Sequence, residues 1–260
     1  MAKSLNDLDK WTSEAEWPRT RCPLCLVGSV GYGKSEHHLD SPSKLVLDLA
    51  RRNLGPNEEL SGTFSGTLVC DNSTCKQELA MAGDWAHTWD TDNLDSYGHP
   101  PLSDMYRVRY VNPPLPLLMA PERTPRNVTE EITGASIILF ISPSAAGSRL
   151  RRSVEELMNA QNVRKTRIDT KSKKRKPITL HERITTFGAK RPDIAEVLLA
   201  VKWIGNEATH GQQLTVADVV LCAEVLEAAL ISLYDRKDAE LRALTRNINR
   251  RKGLSRRRPA

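Results

Sequence analysis

The sequence lacks any long apolar segment. Its longest useful apolar run is ASIILFI, from Ala135 to Ile141, whereas a helix needs about 20 apolar residues to cross a bilayer. The opening residues, MAKSLNDLDKWTSEAEW, are charged and lack the apolar core of a signal peptide. The sequence also shows no internal repeat. These absences predict a soluble, cytoplasmic protein.

Two segments have almost no acidic residues, although the whole chain holds 38 basic and 32 acidic residues and a net charge of +6. Residues 164–177, RKTRIDTKSKKRKP, include eight basic residues and one acidic residue. Residues 246–260, RNINRRKGLSRRRPA, include seven basic residues and no acidic one. The rest of the chain is therefore net acidic. Such blocks are either solvated, mobile segments or elements that bind phosphates.

The phosphate-binding interpretation predicts that the two basic segments contact a nucleic acid, RNA or DNA, in a way that weakens with salt. The residues expected to make these contacts are Arg164, Lys165, Lys171, Lys173, Lys174, Arg175, Lys176, Arg250, Arg251, Lys252, Arg256, Arg257 and Arg258.

Cysteine is scarce, and four of the five cysteines fall in two close pairs, Cys22 with Cys25 and Cys70 with Cys75. In a reducing cytosol, paired short spacings favour zinc over disulfides. Four thiolates satisfy the tetrahedral preference of a structural zinc ion and leave no open position for chemistry. The alternative is a group of four buried thiols. Cys222, in the run VVLCAEVL, is expected to be a core residue.

The segment GSVGYGKS, Gly28 to Ser35, matches the phosphate loop of nucleotide hydrolases at every position but lacks its surroundings. A working loop lies between a buried strand and a helix that starts at the Gly-Lys-Ser. Only Leu26 and Val27 precede the match as apolar residues, and Pro42 follows too soon for a long helix. We interpret the match as chance within a glycine-containing hairpin, and we expect no ATP binding.

The pattern of strand and helix signals predicts several segments. Residues 1–100 are expected to form a small zinc-ribbon-like β domain with a helical insertion that Ser41 caps, because short alternating runs flank the second cysteine pair. Residues 101–123 are rich in proline and predict an extended connector. Residues 124–253 show five or six apolar helical stripes, which predict a helical bundle with a basic loop at 164–177. Residues 254–260 form a basic tail.

Five helix starts can be placed within that bundle. They are expected at Thr124-Pro125, near Ser144, at the capping box of Thr179, at Pro192 and at the capping box of Thr215. The last helix is expected to continue as far as Gly253.

The stretches RLRRSVEELM (149–158) and AVKWIGNEATHG (200–211), with YVNPPLPLL and LHERI, resemble domain of unknown function 4145 over about residues 106–235. The resemblance implies an association with prokaryotic restriction and phage-defence genes. That family is similar to the HEPN superfamily, helical nucleotide-binding proteins that include many ribonucleases and commonly dimerise. The implied fold class is α+β and multi-domain, a small zinc-ribbon-like β domain followed by a HEPN-like α-helical bundle.

The resemblance also points to candidate catalytic residues. Asn206 and His210 match the polar residue and the histidine of the HEPN motif, while Gly205 occupies the position of its arginine. Asn206 and His210 are four residues apart and share a helix face, as do Arg152 and Glu155 on an earlier helix. Two interpretations of these four residues remain open. They could form a ribonuclease centre, in which His210 moves the ribose 2′-hydroxyl proton and a cation stabilises the phosphate. They could instead form a structural network in which Arg152 pairs with Glu155. Because Gly205 replaces the arginine of the motif, the structural network is favoured.

The sequence therefore predicts a zinc-stabilised accessory protein that associates with nucleic acid and takes part in prokaryotic defence. It does not establish a catalytic centre. The alternatives are a metal-independent endoribonuclease that uses His210 and a non-enzymatic protein-interaction adaptor. We expect a homodimer formed through the helices, with a nucleic acid and a defence-system protein as partners, and no membrane association.

Overall fold

The protein has an α+β fold, with an antiparallel sheet in its N-terminal half and helices in its C-terminal half. The computed structural model describes residues 2–52, 59–91, 93–94, 96–170, 172–207, 213–235, 237–251 and 253. Among these residues, no helix combines the length and the apolar character needed to cross a membrane.

The sheet has six strands in the order β1-β6-β5-β4-β3-β2. Each strand runs antiparallel to its neighbours. The four central strands are long, whereas each of the two edge strands pairs with only two residues of its neighbour. The strands are β1 Thr12–Ser13, β2 Thr20–Arg21, β3 Ser29–Leu39, β4 Leu60–Cys70, β5 Glu78–Trp89 and β6 Leu102–Asn112.

Eight helices and one small hairpin complete the described fold. The helices are α1 Ala2–Leu8, α2 Ser41–Arg51, α3 Arg126–Ile138, α4 Pro143–Ala160, α5 Leu180–Gly188, α6 Pro192–Glu207, α7 Val216–Tyr234 and α8 Lys237–Arg251. The hairpin pairs β7 Thr166–Ile168 with β8 Arg175–Pro177 and lies between α4 and α5.

An aromatic cluster forms the core on one face of the sheet. The ring of Phe64, which is 1% exposed, packs edge-on against Tyr106 at 5.2 Å and against Trp17 at 6.5 Å. Tyr32 completes the group at 5.2 Å from Trp17. Each large buried ring removes much apolar area from water, and tilted or edge-on contacts between rings add further stabilisation.

A short hydrogen-bonded chain runs along the edge of this cluster. His37 stacks on Trp85, with ring centroids 4.5 Å apart, and its Nε2 lies 2.9 Å from the hydroxyl of Tyr106. The Oγ of Ser35 lies 3.2 Å from the same nitrogen and 2.8 Å from the hydroxyl of Tyr32. Burial raises the pKa of Tyr106, so this phenol stays protonated and can always share a hydrogen bond.

Local signals set the helix starts, as expected. Capping boxes are present at Thr179 with Glu182 and at Thr215 with Asp218, and both predictions are confirmed. The N-cap of α2 is Asp40 rather than Ser41, because the Asp40 carboxylate accepts the N–H of Ser43 at 2.8 Å.

The N-terminal helix connects the two halves of the fold. Helix α1 packs against α7, and its side chains Leu5 and Leu8 are 2% and 0% exposed. The segment after β6 supplies Leu115 and Leu117, which are also buried. The backbone N–H of Met119 donates to Glu227 of α7 at 2.8 Å. Sheet and helices therefore share one continuous apolar core.

The predicted architecture is wrong, although its coarse α+β class agrees with the structure. The N-terminal half is a six-stranded antiparallel sheet with strands of 11 or 12 residues, not a small zinc-ribbon-like domain. The expected HEPN-like bundle is not supported either. Residues 102–112, expected in the connector, form the long strand β6, which pairs with β5 over nearly its whole length, from Ala80 opposite Asn112 to Trp89 opposite Leu102. The prolines that suggested a connector begin only at Pro113.

The last helix also differs from the expectation. Helix α7 ends at Tyr234, where Asp235 adopts an extended backbone with φ −80° and ψ 114°, and α8 begins separately at Lys237. The apolar residues whose helical spacing predicted one continuous helix lie on both sides of this break.

Replacing Phe64 with alanine is expected to lower the free energy of unfolding by about 3–5 kcal/mol, because the change leaves a cavity among buried rings. Urea denaturation followed by circular dichroism measures the effect. Tyr110→Ala serves as the matched control, since Tyr110 also lies in the sheet but is 42% exposed, and we expect it to cost less than about 1 kcal/mol. Equal losses in the two variants would contradict this account of the core.

Candidate functional site

Two turns at one end of the sheet bring the four paired cysteines together. Cys22 and Cys25 lie between β2 and β3, while Cys70 ends β4 and Cys75 precedes β5. All four Sγ atoms lie within 4.8 Å of one another. The distance from Cys22 to Cys75 is 3.9 Å and that from Cys25 to Cys70 is 3.7 Å.

These distances fit a tetrahedral metal site. Four thiolates bound to one ion by bonds of about 2.3 Å have sulfur–sulfur distances of roughly 3.8 Å. The four side chains show no disulfide. The cluster thus has the number of ligands, the ligand type and the spacing of a site that holds a metal ion by protein sulfur alone.

The two cysteine turns have similar backbones. The residue after the second cysteine of each pair has a positive φ, 57° at Leu26 and 46° at Lys76. The N–H of Leu26 donates to the carbonyl of Cys22 at 3.1 Å, and the N–H of Lys76 donates to that of Asn72 at 3.0 Å. Each hydrogen bond therefore closes a tight turn around the second cysteine of its pair, Cys25 or Cys75.

Asp71 holds the two turns against each other. Its carboxylate accepts the N–H of Ser29 at 2.8 Å, the hydroxyl of Ser29 at 2.6 Å and the guanidinium of Arg19 at 2.7 Å. The bonds from Ser29, with a smaller contribution from Arg19, lower the pKa of Asp71. Sequence reasoning missed this residue, although its position directly after Cys70 was a usable signal.

The thiols differ in their tendency to ionise. The backbone N–H groups of Gly28 and then of Val27 lower the pKa of Cys25 to about 6, whereas burial raises the pKa of Cys70 to about 12. Cys70 would therefore stay protonated at neutral pH without a cation beside it. A metal ion that binds thiolates supplies that charge, so the donor set fits such an ion.

The predicted catalytic residues do not pair as expected. Arg151, not Arg152, pairs with Glu155, at 3.2 Å between Nη1 and Oε1. Arg152 reaches Glu131 of α3 at 3.3 Å instead. Asn206 lies in the last turn of α6. His210 lies outside the described residues, so the structure does not test a centre built on it.

The predicted basic loop forms an exposed hairpin. All described side chains of β7 and β8 are exposed. Two of its cations are paired, Arg167 with Glu182 at 2.7 Å and Lys176 with Asp169 at 3.2 Å. Among the described residues, no ion pair involves the other cations of the hairpin. These are Arg164, Lys165, Lys173, Lys174 and Arg175.

Several predicted nucleic-acid contacts cannot be placed. Arg250 and Arg251 form the last turn of α8 and are exposed. The predicted contacts that lie outside the described residues are Lys171, Lys252, Arg256, Arg257 and Arg258.

Two open hollows border the basic hairpin. The first, of about 670 Å³, is lined along the hairpin by Arg164, Arg167 and Arg175. The second, of about 550 Å³, lies toward the end of α5 and is lined by Phe187, Arg191 and again Arg164, among others. The two hollows share Arg164, and each is lined by at least one further arginine.

The phosphate-loop match is part of a strand. Most of its residues lie within β3, where Lys34 pairs with Thr67 of β4, and the next helix begins only at Ser41. Lys34 is exposed on this strand. The segment therefore lacks the loop and the helix N-terminus that surround a bound phosphate.

Fold and site together define an α+β protein whose antiparallel sheet ends in a four-cysteine cluster at metal-binding distances. Residues 133–251, somewhat under half of the chain, match the family described as Domain of unknown function (DUF4145). This match supports the family resemblance of the helical part, and it does not cover the six-stranded sheet or the four clustered cysteines. No curated protein and no solved structure matches the chain significantly.

Replacing Cys70 with serine is expected to abolish retention of a sulfur-preferring divalent metal and to lower the Tm, because three ligands hold the ion and the two turns less firmly. Elemental analysis after gel filtration, together with thermal melting, measures both effects. Cys222→Ala is the control, since Cys222 is buried in α7 and should leave the metal content unchanged. A Cys70→Ser protein that still carries one metal per chain would contradict the proposed ligand set.

Gly28 packs closely against the second cysteine turn. A Cβ there would stand 2.7 Å from the Cβ of Asn72 and 2.8 Å from the Sγ of Cys70. Gly28→Ala is therefore expected to weaken metal retention by about 10–100-fold, as changes around a ligand shell commonly do. Competition with a chromogenic chelator measures it. Gly31→Ala should have no such effect, because its Cβ would meet nothing closer than 3.6 Å.

Proposed function

We propose that the cysteine cluster binds zinc and that this zinc serves structure only. Zinc accepts four thiolates in tetrahedral geometry without redox chemistry, and the sulfur spacing agrees with its bond length. With all four positions taken by cysteine, no position is left for a water molecule or a substrate.

We further propose that the protein is a zinc-stabilised, nucleic-acid-associated accessory protein, of the kind that the family resemblance links to prokaryotic defence genes. The observation that carries this proposal is the exposed basic hairpin with its adjoining hollows. Five described cations there have no carboxylate within ion-pair distance, so they are available to neutralise phosphates. A Phe187 side chain in the second hollow adds an apolar surface against which a base can pack.

The base of the hairpin is held rigidly, which favours a binding role over that of a solvated extension. Arg183 of α5, only 6% exposed, donates to Asn159 at 2.7 Å and to the carbonyl of Val163 at 3.1 Å. The N–H of Ile178 donates to the carbonyl of Lys165 at 2.8 Å. The cations therefore project from a fixed platform.

Replacing Lys173, Lys174 and Arg175 together with serine is expected to weaken binding of a fluorescein-labelled single-stranded RNA and of a labelled DNA duplex. The slope of log affinity against log salt should decrease by up to about 2–3, because each lost phosphate contact releases about one counterion fewer. Fluorescence anisotropy titrations at several salt concentrations measure the slope.

A control variant with the same charge change uses exposed residues of the N-terminal half, Lys34, Lys44 and Arg51, each replaced with serine. This control should keep the wild-type slope. Identical slopes for the wild type and the hairpin variant would contradict the proposal. Wild-type protein that binds neither nucleic acid at low salt would favour a protein-interaction adaptor instead.

A further inference from the structure

The second hollow, toward the end of α5, has an apolar floor. Val163, Ile178 and Phe187 line it and are half-buried, and both Val163 and Phe187 also pack against the core. The hollow measures about 550 Å³, within the range of about 300–1,000 Å³ that is common for small-ligand sites. A half-buried aromatic side chain in this position offers its uncovered part to a flat, apolar group.

Two exposed cations that line this hollow have no acidic partner. In the described part of the chain, no carboxylate forms an ion pair with Arg164 or Lys190. The third cation of the hollow, Arg191, differs because it pairs with Asp193 at 3.5 Å and donates to Ser232 at 3.2 Å. Arg164 and Lys190 are therefore the cations available to phosphates of a ligand.

Two helices end beside the hollow. Helix α4 ends at Ala160 and α5 ends at Gly188, and residues from both ends line the hollow. The N–H of Val163 donates to the carbonyl of Met158 at 3.0 Å, and Asn162 has φ 55°, a left-handed turn that commonly closes a helix. Helix C-termini carry partial negative charge, so these surroundings favour hydrogen-bond donors of a ligand over its phosphates.

Two polar side chains of the hollow suit the edge of a base. The side-chain amide of Asn162 is exposed and makes no hydrogen bond to another described residue, so it can both donate and accept. The hydroxyl of Thr186 donates to the carbonyl of Glu182 at 2.8 Å, which leaves it as an acceptor for a ligand. A base edge presents donors and acceptors, whereas an ionised phosphate presents acceptors alone. The two side chains therefore match a base better than a phosphate.

Contacts with α7 hold the walls of the hollow in place. Gln161 donates its amide to the hydroxyl of Tyr234 at 2.9 Å, and Arg191 donates to Ser232 of the same helix. A ligand therefore meets a preformed site, which reduces the cost of ordering side chains on binding.

We propose that the second hollow receives one unpaired base of a single-stranded nucleic acid, while Arg164 and Lys190 bind the adjoining phosphates. The base stacks on Phe187, and Asn162 and Thr186 contact its edge. A base within a duplex is stacked on both sides and must leave the helix before it can reach such a ring. The inference rests on the proposed nucleic-acid association, and it specifies the kind of strand.

The hollow is distant from the motif that the family resemblance singled out. Arg191 directly precedes the first residue of α6, whereas Gly205 and Asn206 lie in the last turn of that helix. A helix of 16 residues is about 24 Å long. The proposed base site is therefore separate from the nucleotide site that the resemblance implies.

The test compares three fluorescein-labelled probes of equal length at one salt concentration. They are oligo(dT), an abasic strand with the same phosphates, and the duplex of oligo(dT) with oligo(dA), and fluorescence anisotropy gives the Kd of each. Wild-type protein should bind oligo(dT) at least about fivefold more tightly than the abasic strand, which is the contribution of one base stacked on an aromatic side chain. Phe187→Leu should remove this difference and leave the Kd values for the abasic strand and the duplex unchanged, whereas Phe187→Tyr should retain it.

Two further variants test the edge contact and control for the loss of a ring. Asn162→Gly removes the amide at a position whose positive φ glycine adopts without strain, and it should weaken oligo(dT) binding by about 2–10-fold. Tyr110→Leu is the matched control, because it replaces a 42% exposed aromatic residue of the sheet, and it should keep the wild-type Kd values. Circular dichroism checks that each variant is folded.

Failure of this inference differs from failure of the proposed function. Wild-type protein that binds none of the three probes contradicts both. If it binds all three but does not distinguish oligo(dT) from the abasic strand, the nucleic-acid association stands and the base site is wrong. A folded Phe187→Leu protein that keeps the wild-type preference leads to the same conclusion. If Phe187→Leu does not fold, the comparison of oligo(dT) with the abasic strand, in wild type and in Asn162→Gly, decides.

Thymidine monophosphate tests a free nucleotide as the source of the base. It carries the same base but lacks the second phosphate that Arg164 and Lys190 together would bind, so we expect it to displace oligo(dT) only weakly. Displacement at micromolar concentration would assign the hollow to a free nucleotide and contradict a single-stranded partner.

Discussion

The meeting of four sulfur atoms constrains the whole N-terminal half. Cys22 and Cys25 come before β3, while Cys70 and Cys75 separate β4 from β5, so the cluster joins the start of one strand to the turn between the next two. Cys70 lies opposite Val30 in the ladder, which fixes the register of β3 on β4 at this end. Asp71 accepts two hydrogen bonds from Ser29, and these bonds link the same two turns through polar groups.

The register at the cysteine end, together with the one-residue shift between Tyr32 and Lys34, determines which side chains of β3 and β4 meet farther along the sheet. Because side chains alternate between faces, a slip of one residue would move Phe64 and His37 to the wrong face. In the observed register His37 lies opposite Phe64, and Trp85 lies opposite Tyr106. The aromatic cluster and its hydrogen-bonded chain therefore depend on this shift as well as on the junction. The core that they form continues through α1 to the helices.

Features encoded by short spacing could be predicted from the sequence, and features that depend on distant contacts could not. The capping boxes at Thr179 and Thr215 involve residues three apart, so they were found. Residues 28–35 were interpreted as a glycine-containing hairpin, whereas β3 continues to Leu39. Ser35 and His37 are polar, so no apolar alternation marks this part of the strand. The pairing of Arg151 with Glu155 and the burial of Lys202 depend on how α4 and α6 pack, which no local pattern records.

The hairpin between α4 and α5 enters and leaves the helical part at nearly one point, where Ile178 bonds to Lys165 and Arg183 ties α5 to the end of α4. The described residues of β7 and β8 beyond that closure are exposed, and none of them belongs to the core. Length and sequence can therefore change there at little cost to folding, so related chains are free to diversify in this segment while conserving the helices on either side. The same closure makes the hairpin a natural place to graft a foreign recognition sequence.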